Sequence, residues 1–319
     1  MLVPEIPPPG QDAYADRVLF SVGGSATNTC IALSQLGVKP RLFGSVGTDP
    51  NAAYLIEALQ SNGIDTSFVQ RKSEVPSGQI FLPVLPDGER TMYSFRGANV
   101  LTSPKDIPID GLDAVDLVHL SGYVFLKSPQ RDTARKLIEI ACDKKIPISM
   151  DTGMDPVLHA HAQMKPAIKK MDILICGQRE GSLLTGKDTP EDIVHALFDL
   201  GIRCAAIKLG TLGCLVGLHG EIFRLPALRI DAIDTTGSGD AFSAGILVAW
   251  LNHFTLQEMC MLANSLGAYA ATQVGPVSPQ LSVSTLIEFL KSSRPSQVPE
   301  IQHSIDQFLI KSSPPSSLS

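Results

Sequence analysis

The chain has 319 residues, with 26 Lys and Arg against 32 Asp and Glu, and a formal net charge of −6. That balance excludes a global basic field for nucleic acid and leaves only a local patch open. Hydrophobic residues make up 44% and charged residues 18%, which excludes disorder along most of the chain and lets a fold of this length bury its core without a disulfide or metal staple. The longest nearly apolar stretch, 241–251, is too short to span a bilayer, and the N-terminus lacks the basic and apolar regions of a secretory signal. The cysteines, Cys30, Cys142, Cys176, Cys204, Cys214 and Cys260, include no C-x-x-C pair. Five sit among apolar neighbours, as reduced packing residues of a cytoplasmic protein do.

Short apolar runs alternate with helical patterns from about Gly24. A small-residue turn, Val22-Gly23-Gly24-Ser25-Ala26-Thr27-Asn28, runs into a helix. Residues 41–46 read as a strand and 51–62 as a helix stopped by Gly63. Residues 78–85 and 90–96 are extended runs joined by Pro86-Asp87-Gly88-Glu89, where Pro presets φ and Gly accepts a positive one. This hairpin interrupts the alternation as a small antiparallel flap, or lid, spanning about 11–22 and 76–99, with 13–20 as a further strand. An edge hairpin without a covering role is the other reading. Strands follow at 116–120, 147–150, 172–176 and 203–208, with a helix over 129–144. Thr189-Pro190-Glu191-Asp192 opens another helix: Thr189 is a natural N-cap, Pro190 fits the first position, and the acids complement the dipole. The expected fold is α/β, a three-layer, doubly wound, mostly parallel sheet with that antiparallel flap. The domain is expected over 1–292, followed by a Ser/Pro-rich tail, 293–319, in which Ile301, Ile305, Phe308 and Leu309 have helical spacing.

The stretch that carries chemistry is Asp234-Thr235-Thr236-Gly237-Ser238-Gly239-Asp240-Ala241-Phe242. Gly237, Ser238 and Gly239 leave backbone amides uncovered where an apolar helix begins, a place that binds an anion or a developing negative charge. Asp240 beside that turn either caps the helix electrostatically or accepts a proton from a hydroxyl that attacks a bound phosphate.

Taken with the Gly23-Gly24…Asn28 turn, this stretch resembles the two signature regions of the ribokinase-like, or PfkB, carbohydrate kinase family. Phe43-Gly44-Ser45-Val46-Gly47-Thr48-Asp49, Leu120-Ser121-Gly122 and Lys208-Leu209-Gly210-Thr211-Leu212-Gly213 also resemble it, in the same order, over about 4–290. The resemblance implies an ATP- and Mg²⁺-dependent kinase that phosphorylates a primary hydroxyl of a small sugar. Asp240 would be the base and Gly237, Ser238 and Gly239 the anion hole. Gly23, Gly24 and Asn28 would hold the sugar, with Arg96 of the flap, and Gln79 and Tyr93 beside it, as further acceptor contacts. Lys208, Gly210 and Gly213 would meet nucleotide phosphates, and Asn264 would lie near the adenine. Glu180 would organise Mg²⁺, and Asp234 with Thr236 would bind an activating monovalent cation such as K⁺. Flaps of the family pair into dimers, which the apolar face of 78–85 permits.

Three departures stand out. The family's N-x-x-E reads Gly177-Gln178-Arg179-Glu180, with Gln178 as a substitute for the missing amide. Its Asp-Pro-Asn-x-Arg reads Asp151-Thr152-Gly153-Met154-Asp155. The strand expected ahead of Val3, with its sugar ligand, is absent, as after a late start or a truncation. Ribose, fructose, a 2-keto-3-deoxy sugar acid and a nucleoside stay open as acceptors, and a non-catalytic sugar- or nucleotide-binding regulator is the rival class. The near P-loop Gly181…Gly186-Lys187-Asp188 carries Asp where Mg²⁺ needs a hydroxyl, and Leu183 and Leu184 read as the buried face of a short helix. No G-x-G-x-x-G follows a strand, against a dehydrogenase. His159 and His161 have no zinc-spaced partner.

Overall fold

The structure, a computed structural model, describes residues 1–85, 91–276 and 281–293. In chain order these form helix α1 (Ser25–Gln35), β1 (Gly44–Val46), α2 (Pro50–Ser61), β2 (Val69–Arg71), β3 (Gln79–Phe81), β4 (Tyr93–Phe95), β5 (Val118–Ser121), α3 (Gln130–Asp143), β6 (Ile148–Asp151) and α4 (Met154–Ile168). They continue as β7 (Ile173–Gly177), α5 (Gln178–Thr185), α6 (Pro190–Asp199), β8 (Cys204–Lys208), β9 (Cys214–Leu218), β10 (Glu221–Leu225), α7 (Ser238–Leu251), α8 (Leu256–Ala271) and α9 (Val283–Ser293). The main sheet runs β10-β9-β8-β7-β6-β5. β5 to β8 are parallel, while β9 and β10 fold back antiparallel. The sequence pattern did not separate that last hairpin, because β9 and β10 follow β8 without an intervening helix.

Helices cover both faces. Ile173, Ile175, Ala206 and Val216 of the sheet pack with α1, α7, α8 and α9 on one side. Leu174, Cys176, Ala205 and Ile207 point the other way, toward α3, α4 and α6. Strands buried on both faces become continuous apolar runs, and burying each Val, Leu or Ile among them contributes about 1.5–3 kcal/mol. In α7 every residue from Ala241 to Ala249 is buried. Gly245 lets α8 approach so closely that a Cβ there would lie 2.5 Å from Ala263 Cα. The Thr189 side chain accepts from Asp192 N, with Pro190 in the first turn, as expected of that N-cap. Among the described residues no helix is long and apolar enough to cross a membrane.

The flap is smaller than its sequence pattern. β3 and β4 pair antiparallel over Gln79–Phe81 and Tyr93–Phe95, and the joining turn falls on 86–90, outside the described residues. Residues 13–20 form no strand. Their ladder contact is the single bridge of Arg17 to Leu2, which also bridges Val84, and a strand needs a continuous partner to satisfy its amides. β1 and β2 form a separate parallel pair. The expected helical spacing at 301–309 lies outside the described residues. Leu183 is exposed at 43%, so the α5 reading holds for the partly buried Leu184 alone. All six cysteines are free; Cys142 is exposed, because it lies near the end of α3.

Candidate active site

Short turns at the C-terminal ends of β5 to β8 converge on the N-terminus of α7. Gly237 caps α7 at φ 78°, and a Cβ there would collide with the Pro276 carbonyl, so glycine is required by both conformation and space. Of the three amides expected to form an anion hole, that of Ser238 is engaged: its N–H and hydroxyl both donate to the Thr235 carbonyl, at 3.2 and 2.8 Å. The Gly237 and Gly239 amides are left as donors at the open end of the helix.

Asp240 lies in the first turn of α7, and Asn28 Nδ2 of α1 donates to its Oδ2 at 2.7 Å. Gly24, at φ 107°, starts α1 so that Asn28 reaches across. Burial pushes the Asp240 carboxyl up to about 6; the Asp151 charge adds to the rise, while the Asn28 hydrogen bond, Lys208 and Ser25 oppose it. A carboxyl held there is a proton acceptor above about pH 6. Asn28 Oδ1 is buried without a protein partner.

Lys208 ends β8 directly below this turn. Its Nζ donates to both oxygens of Asp151 at the end of β6, at 2.9 and 2.8 Å. A Cβ on Gly239 would lie 3.4 Å from that Nζ. Burial works against the Lys208 charge, but the Asp151 and Glu180 carboxylates outweigh it and hold the ammonium above its ordinary range. Ser243 Oγ donates to Asp151 Oδ2 at 2.7 Å.

Glu180 Oε2 accepts from Thr152 Oγ1 at 2.6 Å and from Gly177 N at 3.0 Å. The side chain of Gln178 is not a substitute for the family's amide: it donates to the Asp188 carbonyl at 3.1 Å, on the outside. The Thr152 hydroxyl on Glu180 is a contact that sequence reasoning missed, because no local pattern links β6 to α5. Asp234 accepts from Thr236 N at 2.9 Å and from Gly275 N at 3.0 Å, while Thr236 Oγ1 is buried without a protein partner.

Gly210 and Gly213 lie on the turn between β8 and β9, at φ 59° and 95°. Gly213 packs against the Leu225 carbonyl, with no room for a side chain. Asn264 of α8 is buried and donates to the Pro226 carbonyl at 2.9 Å, tying down the loop after β10. Gly23 packs near Pro276, 3.9 Å from where its Cβ would be. Arg96, at the end of β4, stacks 5.7 Å over the Tyr123 ring and donates to Gln130 Oε1 at 2.8 Å; its Nε is buried without a partner. Burial pulls the guanidinium below its ordinary range. His159 pairs with Asp155 on the surface, and no metal-binding cluster of His, Cys, Asp or Glu occurs among the described residues.

Residues 2–282 match the family model described as pfkB family carbohydrate kinase. The chain is 26% identical over 282 residues to the ATP-dependent 6-phosphofructokinase of Thermoanaerobacterium thermosaccharolyticum, covering 87% of each. It is 30% identical over 255 residues to the ATP-dependent ribose-1-phosphate kinase of Halopiger xanaduensis, covering 80% of this chain and 82% of that one. The crystal structure of a putative ribokinase II from E. coli superposes with a TM-score of 0.81 at 20% identity, over 91% of this chain and 95% of that one.

Proposed function

The chain belongs to the pfkB family of carbohydrate kinases, and from that premise we propose that it transfers the γ-phosphoryl group of ATP to a primary hydroxyl of a small sugar. The observation that carries this reading is the pairing of a proton-accepting Asp240 with the Gly237 and Gly239 amides on one helix turn. The acceptor hydroxyl gives its proton to Asp240 as its oxygen bonds to the γ-phosphorus and the bond to the β-phosphate oxygen breaks, releasing ADP. The two amides and the positive end of α7 stabilise charge on the transferring group. Gly23, Gly24 and Asn28 face the acceptor. Lys208, Gly210 and Gly213 serve the phosphates of the donor, and Asn264 shapes the loop beside its base.

The residues present fit the expected cations. Both bonds to Glu180 fall on Oε2, so its carboxylate is oriented to help hold Mg²⁺, which when bound neutralises phosphate charge. The orphaned, buried Thr236 hydroxyl suits a monovalent cation beside Asp234. Exposed Ile80, Phe81, Tyr93 and Phe95 on the flap support pairing of two copies through the lid, in a cytoplasmic enzyme.

A second reading concerns the acceptor. The Arg96 guanidinium forms no ion pair among the described residues and keeps a buried Nε without an acceptor, which favours a sugar bearing a carboxylate or phosphate over a neutral one. Purified protein, assayed with ATP on ribose, fructose and ketodeoxygluconate, tests both. Near wild-type turnover by Asp240→Asn removes Asp240 as the base. Arg96→Ala should lose activity on the acid alone; loss confined to a neutral sugar overturns the anionic reading. Ligand binding without turnover in the wild type would favour the non-catalytic binder.

A further inference from the structure

The Asp151–Lys208 pair is an ionic contact at the edge of an apolar layer, beside the buried polar side chains of Ser149 and Ser243. Around it the same face of the sheet carries Ile175, Ala206, Cys214 and Val216, all fully buried. An ion pair in such a place is a weak stabiliser, because desolvating two charges offsets most of their attraction, and apolar replacements of similar volume are often neutral or better. The geometry is nonetheless specific. Both Asp151 oxygens are engaged by Nζ, and Oδ2 also accepts from Ser243. Ser243 lies one turn after Asp240 on α7, and its Oγ is also 2.9 Å from the Gly239 carbonyl, so the single hydroxyl proton is shared between that oxygen and Asp151. The lysine is the more open partner, with 22% of its side chain exposed against 6% for the aspartate. An ammonium has three donors, so one N–H remains for an oxygen at the mouth of α7.

We propose that Asp151 is a positioning residue for phosphoryl transfer, fixing the Lys208 ammonium against Gly239 while Ser243 ties the same carboxylate to the helix that carries Asp240. The inference rests on the kinase reading and adds a residue to it. Asp151 touches neither reactant. It sets where the one free Lys208 N–H points and holds the cation at a fixed place relative to the base. Its charge also acts on Asp240 directly. The groups facing Asp240 are Asn28 and Ser25 of α1, Asp151 of β6, Lys208 of β8, and Tyr123 after β5, whose hydroxyl feels the Asp240 charge in turn. His119 of β5 faces the Asp151–Lys208 pair, and its burial depresses its pKa to about 4, so it is neutral above that range.

The experiment compares wild type, Asp151→Asn, Asp151→Glu, Lys208→Met and the double variant Asp151→Asn/Lys208→Met. Calorimetric titration with ATP and Mg²⁺, without sugar, is read first; turnover of the best sugar across pH 5–8 is read second. Asp151→Asn should weaken ATP binding about tenfold, lower kcat about 10²-fold, as expected of a misplaced catalytic cation, and move the acid limb of the kcat/KM profile to lower pH. Asp151→Glu should keep the charge and the fold yet not restore kcat. The double variant leaves no orphan charge, so it should fold even where the single one does not, and it should bind ATP no more weakly than Lys208→Met. Wild-type ATP affinity and kcat in Asp151→Asn, full rescue by Asp151→Glu, or wild-type affinity in the double variant each overturns the positioning role. Failure of the wild type to bind ATP removes the kinase reading and this inference with it, a result distinct from the other three.

Discussion

Asn28 and Asp240, 212 residues apart, meet at 2.7 Å where the first turns of α1 and α7 cross. The amide donates to the carboxylate and so favours its charged form, against the burial that pushes its pKa up to about 6. The two helices pack through Thr29 as well, whose hydroxyl donates to the Asp240 carbonyl at 3.4 Å. The residue expected to hold the sugar therefore also tunes the carboxyl proposed as the base.

The kcat/KM profile should lose activity as pH falls through about 6, because protonated Asp240 cannot take the hydroxyl proton. Asn28→Ala removes a hydrogen bond to the charged form, so its acid limb should move to higher pH. A stopped pH series on both proteins checks the sign; an unmoved limb would detach Asn28 from the base.

The same shift predicts a stability change of opposite sense to the activity. The folded pKa of Asp240 is raised above the unfolded value of about 4, so its ionised form costs stability above pH 6 and costs nothing below pH 4. Asp240→Asn should raise the Tm by a few degrees at pH 8, with the gain fading as pH falls from 6 to 4. Calorimetric melts at several pH values measure it.

Thr152→Val keeps the volume but removes the 2.6 Å bond to Glu180. A hydrogen bond to a charged group contributes about 1.5–3 kcal/mol, and Glu180 then keeps the Gly177 amide alone of the two. The Mg²⁺ concentration for half-maximal rate should rise, with the sugar KM little changed. Titration of activity with Mg²⁺ reads this directly.

Gly237→Ala should abolish turnover through backbone strain and its collision with the Pro276 carbonyl. The left-handed φ alone costs about 1–2 kcal/mol. Phosphate or ATP titration should show lost binding, while circular dichroism should show a retained fold.

Phe81 is 57% exposed on the flap beside Ile80 and Tyr93. Sedimentation of wild type should reveal association that Phe81→Lys weakens; a wild type that sediments as a monomer at all concentrations would end the lid-pairing proposal.

What the sequence by itself determined are the features whose causes lie within a few residues. The Thr189–Asp192 cap, the double-buried strands 173–177 and 204–208, and the glycine turn opening α7 are local: cap, pattern and positive φ are each satisfied by neighbours in the chain. The family resemblance was legible for the same reason, since its signatures are short and contiguous. The tertiary structure decided the rest. Strand order places Asp151 beside Lys208 across 57 residues and Thr152 beside Glu180 across 28, and it turns Gln178 outward to the Asp188 carbonyl. It also reduced the expected strand at 13–20 to a single bridge. Side-chain partners on different strands share no local signal, because their pairing is set by sheet register and by the burial that makes an unpaired charge costly, and both exist only once the chain has folded.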